Sequence, residues 1–261
     1  MNSSTKTDPQ ISNQFVASLF ALTTVLMAST LIISPTAGTS AGPHKNSASH
    51  SPPPLRAHHP APLPAPEWVN LFDQKSMKNW TATDFGGQGE VQIKDSNIFM
   101  EMGAYMTGVT YDGDLKLPKS NYVIEMKAAR MDGLDFFSGL TFPVKESFCS
   151  LILGGWGGGV CGLSSLDSMD ASENNTTSYR LFTEGEWYVI KLMVLDDRIL
   201  AWIDGERIID ESIVDTEISI RTEVELSCPL GISTYQTTGA VEYIKLRELS
   251  EPEIASWSQS E

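Results

Sequence analysis

From Glu67 onward, short segments of alternating apolar and polar residues are separated by Gly and Asp turns, and no long stretch of helical periodicity occurs. The clearest segment is residues 122–128, YVIEMKA, whose even-numbered side chains share one apolar face. Short strands spaced roughly 8–12 residues apart are typical of a sandwich or a barrel. Each such strand has an apolar face that a second layer must cover, and this requirement constrains the fold more than any other feature of the chain.

Four more segments share this pattern and occupy residues 188–194, 198–203, 206–210 and 243–247. Asp204-Gly205, between the second and third of these, is typical of a tight hairpin turn. Asp112-Gly113 and Asp132-Gly133 mark further turns, and only residues 75–80 favour a short helix. About 180 residues of this kind predict an all-β jelly-roll sandwich of two antiparallel sheets, with an outer concave face free for a ligand.

The N-terminal part of the chain has a different composition. Residues 15–33 are almost wholly apolar and are followed by the small residues that signal peptidases favour. We therefore expect residues 1–41 to be a signal peptide or a retained membrane anchor, because an uncharged, mostly apolar run of 19 residues can just span a bilayer. The possibility that this segment is neither stays open. Residues 42–66 are predicted to be a Pro-rich disordered linker. The folded domain then spans 67–249, and 250–261 form a polar tail.

Charge and histidine content exclude several function classes. The net charge is -15 and no basic stripe occurs, so nucleic acid is not expected as a partner. All four histidines lie between residues 44 and 59, where a solvated spacer is a simpler interpretation than a loose metal site. A domain without histidine has no Ser-His-Asp triad, no Cys-His pair and no His-ligated zinc or iron. Neutral ligands such as sugars, or cations, suit such an acidic chain.

The three cysteines are Cys149, Cys161 and Cys228, and they form no C-x-x-C motif. Cys149 and Cys161 lie nearly symmetrically about the glycine-rich residues 154–159. They could face each other across a hairpin and form a disulfide in an oxidising compartment. The alternative is that both are small buried thiols.

Two segments contain candidate residues for sugar chemistry. Asp135 lies among aromatic residues in LDFFSGLTFP, residues 134–143, and desolvation can raise the pKa of such a carboxylate until it acts as a base. The alternative is that Asp135 caps a turn. Trp156 interrupts the glycines of residues 154–159, and an indole face can stack on a sugar ring. The alternative is that Trp156 only fills the rim of the sandwich.

Residues 167–177 are dense in oxygen ligands but lack the spacing of an EF-hand. The candidate ligands for Ca²⁺ or another divalent metal are Asp167, Asp170 and Glu173. Asn174 could bind sugar hydroxyls, and Tyr179 and Arg180 could complete a polar pocket. The alternative is a solvated polar loop.

Tyr235 and Gln236 lie between two threonines near the C-terminus. Tyr235 could donate a proton and Gln236 could bind substrate; alternatively they form the polar end of a strand. A retaining glycosidase needs two neighbouring carboxylates. Residues 223–225, EVE, lack the third acidic residue of the E-x-D-x-x-E strand found in laminarinase-like sandwiches, so a standard glycosidase is disfavoured.

Several motifs resemble the 3-keto-disaccharide hydrolase family, also described as 3-keto-glucoside lyases or hydratases. Residues 69–80, VNLFDQKSMKNW, resemble its opening LFDGKSLDGW, and GEWY at 185–188 resembles its GEWN strand. Residues 201–206, AWIDGE, resemble its WLNG hairpin, and 229–232 with 241–247 resemble its closing strands. The resemblance covers about residues 67–249. It implies a concanavalin-like β-sandwich, exported or lipid-anchored in a bacterium as a periplasmic, extracellular or membrane-anchored protein, that binds or acts on oxidised sugars.

The chain departs from that family at two positions. The family's acidic E-[FI]-Q strand is replaced by SLILGGW at 150–156, and its DHG motif by STYQT at 233–237. Two functions therefore stay open. One is cleavage of 3-keto-glycosides by removal of the C2 proton and elimination at C1. The other is a non-catalytic carbohydrate-binding or surface-matrix module.

For the enzymatic hypothesis, we assign catalytic roles to Asp135 as the base and to Tyr235 or Arg180 as the electrophilic group. Substrate binding is assigned to Trp156, Asn174, Gln236 and Tyr179. No cofactor is required, although a divalent metal at the acidic loop could stabilise the enediolate instead.

Overall fold

The predicted all-β sandwich of two antiparallel sheets is confirmed in the computed structural model, which describes residues 66–258. In chain order the strands are β1 (Val69–Asn70), β2 (Trp80–Ala82), β3 (Val91–Lys94), β4 (Asn97–Met100), β5 (Met106–Tyr111), β6 (Tyr122–Gly133), β7 (Ser138–Val144), β8 (Ser147–Gly154), β9 (Val160–Ser164), β10 (Ser178–Tyr179), β11 (Trp187–Val194), β12 (Arg198–Ile203), β13 (Glu206–Ser212), β14 (Gly231–Tyr235) and β15 (Thr237–Glu248). The helices are a short helical turn α1 (Gly155–Gly158), a 3₁₀ helix (Thr222–Ser227) and α2 (Glu251–Ser258).

The two sheets have different strand orders. Sheet A runs β13-β12-β11-β6-β15-β4-β3, with β1 also paired to β15. Sheet B runs β10-β9-β8-β7-β14-β5-β2. The 12-residue strands β6 and β15 pair over most of their length and form the spine of sheet A.

The core lies between the inner faces of the sheets. The even-numbered side chains of β6 from Tyr122 to Ala128 are buried there, as the alternation predicts. Phe142 of β7 and Leu151 of β8 face them from sheet B. Because successive side chains of a strand alternate between faces, the odd-numbered residues of β7 and the even-numbered residues of β8 lie on the outer face of sheet B.

A second apolar cluster covers the outer face of sheet A. Val123 and Leu200 are buried there beneath α2. The ring of Trp257 in α2 meets Trp202 of β12 edge to face, with ring centroids 5.8 Å apart. Residues that the sequence assigned to a polar tail thus include a packed helix.

Two other expectations are wrong. Residues 75–79 form bends and a turn rather than a helix, because the Asp73 carboxylate accepts hydrogen bonds from the backbone N–H groups of Lys75 and Ser76. Trp80 already begins β2. Cys161 pairs with Leu153 across β8 and β9, so it does not face Cys149. All three cysteines are free. Burial raises the pKa of Cys149 to about 12, which fits the alternative of buried thiols.

The predicted export or anchor segment, 1–41, and all but the last residue of the linker, 42–66, lie outside the described residues. Within residues 66–258, no helix has the length and apolar character needed to cross a bilayer. Export and membrane anchoring through residues 15–33 stay predictions.

Candidate functional site

A cleft of about 590 Å³ lies on the outer face of sheet B. The residues that line it come from the ends of the strands and the loops around them, and they are Phe85, Tyr105, Met106, Asp135, Phe136, Ser150, Ile152, Trp156, Ser164, Arg221, Glu223, Val224 and Tyr235. The cleft thus combines aromatic rings with two carboxylates, a guanidinium and hydroxyl groups.

A row made mostly of small residues lies on the outer face of sheet B beneath the cleft, which Ile152 of this row lines. The row consists of Gly162, Ile152, Gly139, Ser233 and Gly108. A Cβ atom at Gly108 would lie 3.0 Å from the ring of Phe85, and one at Gly139 would lie 3.1 Å from the ring of Phe136. The glycines therefore let both rings lie directly on the sheet, where they form an apolar floor.

Four residues with hydroxyl groups and one glycine form the next row along the same face. This row consists of Ser164, Ser150, Thr141, Gly231 and Thr110. Ser150 and Ser164 line the cleft, and the hydroxyl groups of Ser150 and Thr141 are 2.9 Å apart. Hydroxyl groups both donate and accept hydrogen bonds, so Ser150 and Ser164 are the polar groups that this row offers at the base of the cleft, although both are nearly buried.

Aromatic side chains line both the floor and the rim. The rings of Phe136 and Tyr235 are stacked, with centroids 5.9 Å apart and planes 24° apart. At the rim, Trp156 is 46% exposed and Tyr105 is 63% exposed. Exposed aromatic faces beside a polar cleft are typical of carbohydrate platforms, because the apolar face of a sugar ring stacks on them.

Asp135 connects the start of β7 to the loop that carries Trp156. Its Oδ1 accepts a hydrogen bond from the backbone N–H of Phe136 at 2.8 Å, and its Oδ2 accepts one from Gly157 at 3.1 Å. The capping role that the sequence offered as an alternative is therefore present. Since a carboxylate oxygen has two lone pairs, both oxygens keep accepting capacity toward the cleft, and the role of Asp135 as a base stays a prediction.

A pair of charged residues that the sequence analysis did not assign forms another wall. Arg221 donates to Asp170 at 2.9 Å and to Glu223 at 2.9 Å. The hydrogen bond from Arg221 lowers the pKa of Glu223, and the same contact raises the pKa of Arg221. The two residues lie in the polar segment IRTEVE, of which the sequence pattern singled out only EVE, as an incomplete glycosidase motif, and gave Arg221 no role.

Of the seven catalytic and substrate-binding residues predicted from the sequence, Asp135, Trp156 and Tyr235 line this cleft. Arg180 does not line it and instead forms ion pairs with Glu206 at 2.9 Å and Asp204 at 3.4 Å. Tyr179, on the edge strand β10, is 78% exposed, and Gln236 is exposed at the turn between β14 and β15. Neither is among the lining residues.

Asn174, predicted to bind substrate, is buried and is not among the residues that line the cleft. Its side-chain amide donates to the carbonyl groups of Leu163, Met169 and Asp170. Its side-chain oxygen accepts two hydrogen bonds from Thr176. Asn174 therefore stabilises the loop between β9 and β10.

The acidic loop does not fit the predicted metal site. The described part of the chain has no group of three or more His, Cys, Asp or Glu side chains arranged to hold a metal ion. Asp170 is paired with Arg221, Asp167 accepts a hydrogen bond from the backbone of Glu217, and Glu173 is exposed. We therefore assign no step to a metal.

The sequence profile of the 3-keto-alpha-glucoside-1,2-lyase-like domain family matches residues 67–247. The chain belongs to this family. The match covers every strand that contributes to the cleft of this lyase-like domain, and it confirms the family suggested by the sequence motifs. A comparison with curated proteins found no match.

Solved structures that resemble this lyase-like domain have low sequence identity to it. Carbohydrate binding module CBM66 from Bacillus subtilis is 11% identical, with a TM-score of 0.41, covering 65% of this chain and 96% of that chain. Domain 4 of AbnA, a GH43 extracellular arabinanase from Geobacillus stearothermophilus, is 12% identical, with a TM-score of 0.43, covering 69% and 88%. The family assignment rests on the profile match.

Proposed function

We propose that the cleft binds a 3-keto-α-glucoside and releases its aglycone by elimination. The observation that carries this proposal is the presence of Asp135, Tyr235 and Arg221 in one cleft with the exposed indole of Trp156. A carboxylate, a phenol and a guanidinium are the groups that such an elimination needs. Membership of the lyase-like family supports the choice of substrate class.

The reaction starts at C2, because the ketone at C3 makes the C2 proton acidic. Asp135 removes this proton, and Arg221 stabilises the oxyanion that forms at C3. The electron pair then forms the C1=C2 double bond while the C1–O bond breaks, and Tyr235 donates a proton to the leaving oxygen. The products are the alcohol and an unsaturated 3-keto sugar, to which water adds to complete net hydrolysis.

Arg221 takes the role for which the sequence offered Arg180. Arg180 is held by two carboxylates beside the β12–β13 hairpin, whereas Arg221 lines the cleft. Arg221 also pairs with two carboxylates, Glu223 through Nε and Nη2 and Asp170 through Nη1. Since a guanidinium carries five N–H groups, the two that remain can donate to a ligand in the cleft.

The test is turnover of p-nitrophenyl 3-keto-α-glucoside by the full chain, followed by release of p-nitrophenol. We expect Asp135→Asn to reduce kcat by about 10²- to 10⁴-fold, because it removes the base, and Tyr235→Phe to reduce it less, because this leaving group departs without a proton. Tyr243→Phe is the control, since Tyr243 lies on sheet A, where its hydroxyl contacts Glu125. A wild-type chain that shows no turnover, with or without divalent metals, would overturn the proposal.

A second candidate function is sugar binding without catalysis. It is favoured because both carboxylates of the cleft already accept hydrogen bonds, Asp135 from two backbone N–H groups and Glu223 from Arg221. Calorimetric titration with methyl 3-keto-α-glucoside separates the two. Binding that is lost in Trp156→Ala, together with no turnover in the wild type, would establish the second function.

A further inference from the structure

A buried arginine lies beneath the loop that carries Trp156. Arg130 is 6% exposed and continues the inner-facing alternation of β6 beyond Ala128. Within residues 66–258 it forms no ion pair with a carboxylate, and its Nε has no hydrogen-bond partner. Desolvation lowers the pKa of Arg130. Burying a cation without a paired carboxylate costs desolvation free energy. Such a residue therefore suggests a specific role.

The Arg130 guanidinium spans the loop formed by residues 154–159. Its Nη2 donates to the carbonyl of Gly158 at 2.8 Å and to the carbonyl of Gly154 at 3.2 Å. The same group packs over the rings of Phe137 and Phe182. Arg130 thus reaches from sheet A through the interior and ties together the two ends of a loop that follows β8 of sheet B.

The loop needs this support because its backbone is strained. Trp156 has φ 49° and ψ 54°, a left-handed conformation that bulky residues rarely adopt. Such a conformation persists only where its surroundings determine it. Two contacts do so here, the Arg130 hydrogen bonds from below and the Asp135 carboxylate, which accepts from Gly157 at 3.1 Å.

The glycines of the loop fit the arginine. A Cβ atom at Gly154 would collide with Nη2 of Arg130, and one at Gly158 would lie 3.2 Å from Nη1. The glycines at positions 154 and 158 therefore leave the space that the guanidinium of Arg130 occupies.

We propose that Arg130 is a positioning residue that holds the indole of Trp156 against the cleft before a ligand arrives. It does not touch the ligand. The expected gain in sugar affinity rests on the proposed function, whereas the orientation of Trp156 does not. The two can therefore be tested separately. A preordered platform improves affinity because less conformational entropy is lost on binding.

The test compares Arg130→Lys and Arg130→Met with Arg198→Lys in the full chain labelled with 5-fluorotryptophan. Arg198 is a matched control, because its Nε also lacks a partner but its guanidinium pairs with Asp210 at the edge of sheet A. The chain has six tryptophans. The resonance of Trp156 is assigned as the one that is absent from the fluorine spectrum of Trp156→Phe.

In both Arg130 variants we expect the Trp156 resonance to shift and broaden, and the Gly157 amide to exchange on the order of ten-fold faster as the loop opens locally. The resonances of Trp202 and Trp257 should not move. KM for p-nitrophenyl 3-keto-α-glucoside should rise about ten- to hundred-fold, with a smaller change in kcat.

An unchanged Trp156 resonance with unchanged Gly157 exchange would overturn the role of Arg130. If the Arg130 variants do not fold, Phe182→Leu decides by the same two measurements, because it removes a ring over which the Arg130 guanidinium packs and leaves the sequence of the loop unchanged. A wild type without turnover or binding would refute the proposed function, while the fluorine and exchange measurements would still report on Arg130.

Discussion

Residues of the same chemical type have opposite roles in this domain, depending on where their hydrogen bonds are made. Asn174 is buried and uses its whole side-chain amide on the backbone and on Thr176. Asn175, its neighbour, is exposed. In the sequence both belong to one polar run, and only the structure separates a structural amide from a solvated one.

Replacing Asn174 therefore tests stability rather than substrate binding. We expect Asn174→Ala to lower the free energy of unfolding by about 2–4 kcal/mol, because several buried carbonyl and N–H groups lose their partner. Asn175→Ala should change it by less than about 0.5 kcal/mol. Urea unfolding of both variants measures the difference. Equal stability of the two would contradict the structural role given to Asn174.

At the residue scale, the sequence identified the groups of the cleft that stand out by type. Asp135, Trp156 and Tyr235 were recognised because an acid among aromatics, an indole among glycines and a phenol among threonines are unusual. Arg130 and Arg221 were missed. Arg130 occupies a core position two residues beyond the predicted strand 122–128, and its use depends on a loop that is distant in sequence.

At the scale of elements, α2 is anchored by one carboxylate. Both oxygens of Glu253 accept hydrogen bonds from Arg247, at 3.0 and 2.7 Å, and Oε2 also accepts from the N–H and hydroxyl of Ser250. Ser250 and Glu253 have the S-x-x-E spacing of a capping box, and the half in which the Glu side chain accepts from the backbone N–H of the Ser is present. This motif could have predicted α2 from the sequence, whereas the acidic composition of the tail favoured a polar extension.

These contacts make the docking of α2 dependent on pH. The hydrogen bonds from Arg247, followed by those from Ser250, lower the pKa of Glu253 from 4.5 to about 2. A lowered pKa in the folded state gives stability that is fully present above pH 4.5 and is lost as pH falls toward 2.

We expect Glu253→Gln to lower the free energy of unfolding at pH 7 by about 1–2 kcal/mol, since it removes charge-assisted hydrogen bonds at a partly exposed site. The difference from the wild type should narrow below pH 4.5. Urea unfolding at pH 7, 5 and 3 measures it, with Glu251→Gln as the control in the same first turn. A difference that is the same at pH 7 and pH 3 would contradict this account.

The strands themselves were the most predictable elements. β6, β11, β12, β13 and β15 all occur where the alternation placed them, because burial of one face imposes a period of two on the sequence. Sheet B was harder to predict. Its outer row contains Gly162, Gly139 and Gly108, which give the strands no regular alternation of apolar and polar residues. The outer face is covered instead by the rings of Phe85 and Phe136, which belong to loops.

At the scale of the whole molecule, the sandwich folds in spite of a large excess of negative charge. The chain carries 33 acidic and 18 basic residues, a net charge of -15. Ion pairs offset the repulsion among the acidic side chains only locally, as between Lys245 and Glu125, which are 2.7 Å apart on sheet A. Both side chains of this pair are partly exposed, and ion pairs near the surface each contribute about 0–1 kcal/mol. Repulsion among the remaining carboxylates therefore opposes the compact state.

Screening should therefore stabilise the protein. At pH 7, we expect the Tm to rise by about 2–4 °C between 20 and 200 mM NaCl, which corresponds to roughly 1 kcal/mol for a domain of this size. Near the pI of about 4.6 the same salt should have little effect, because the net charge is close to zero there. Scanning calorimetry at both pH values measures this. A Tm that falls with salt at pH 7 would mean that local ion pairs such as Lys245–Glu125 outweigh the repulsion across the molecule.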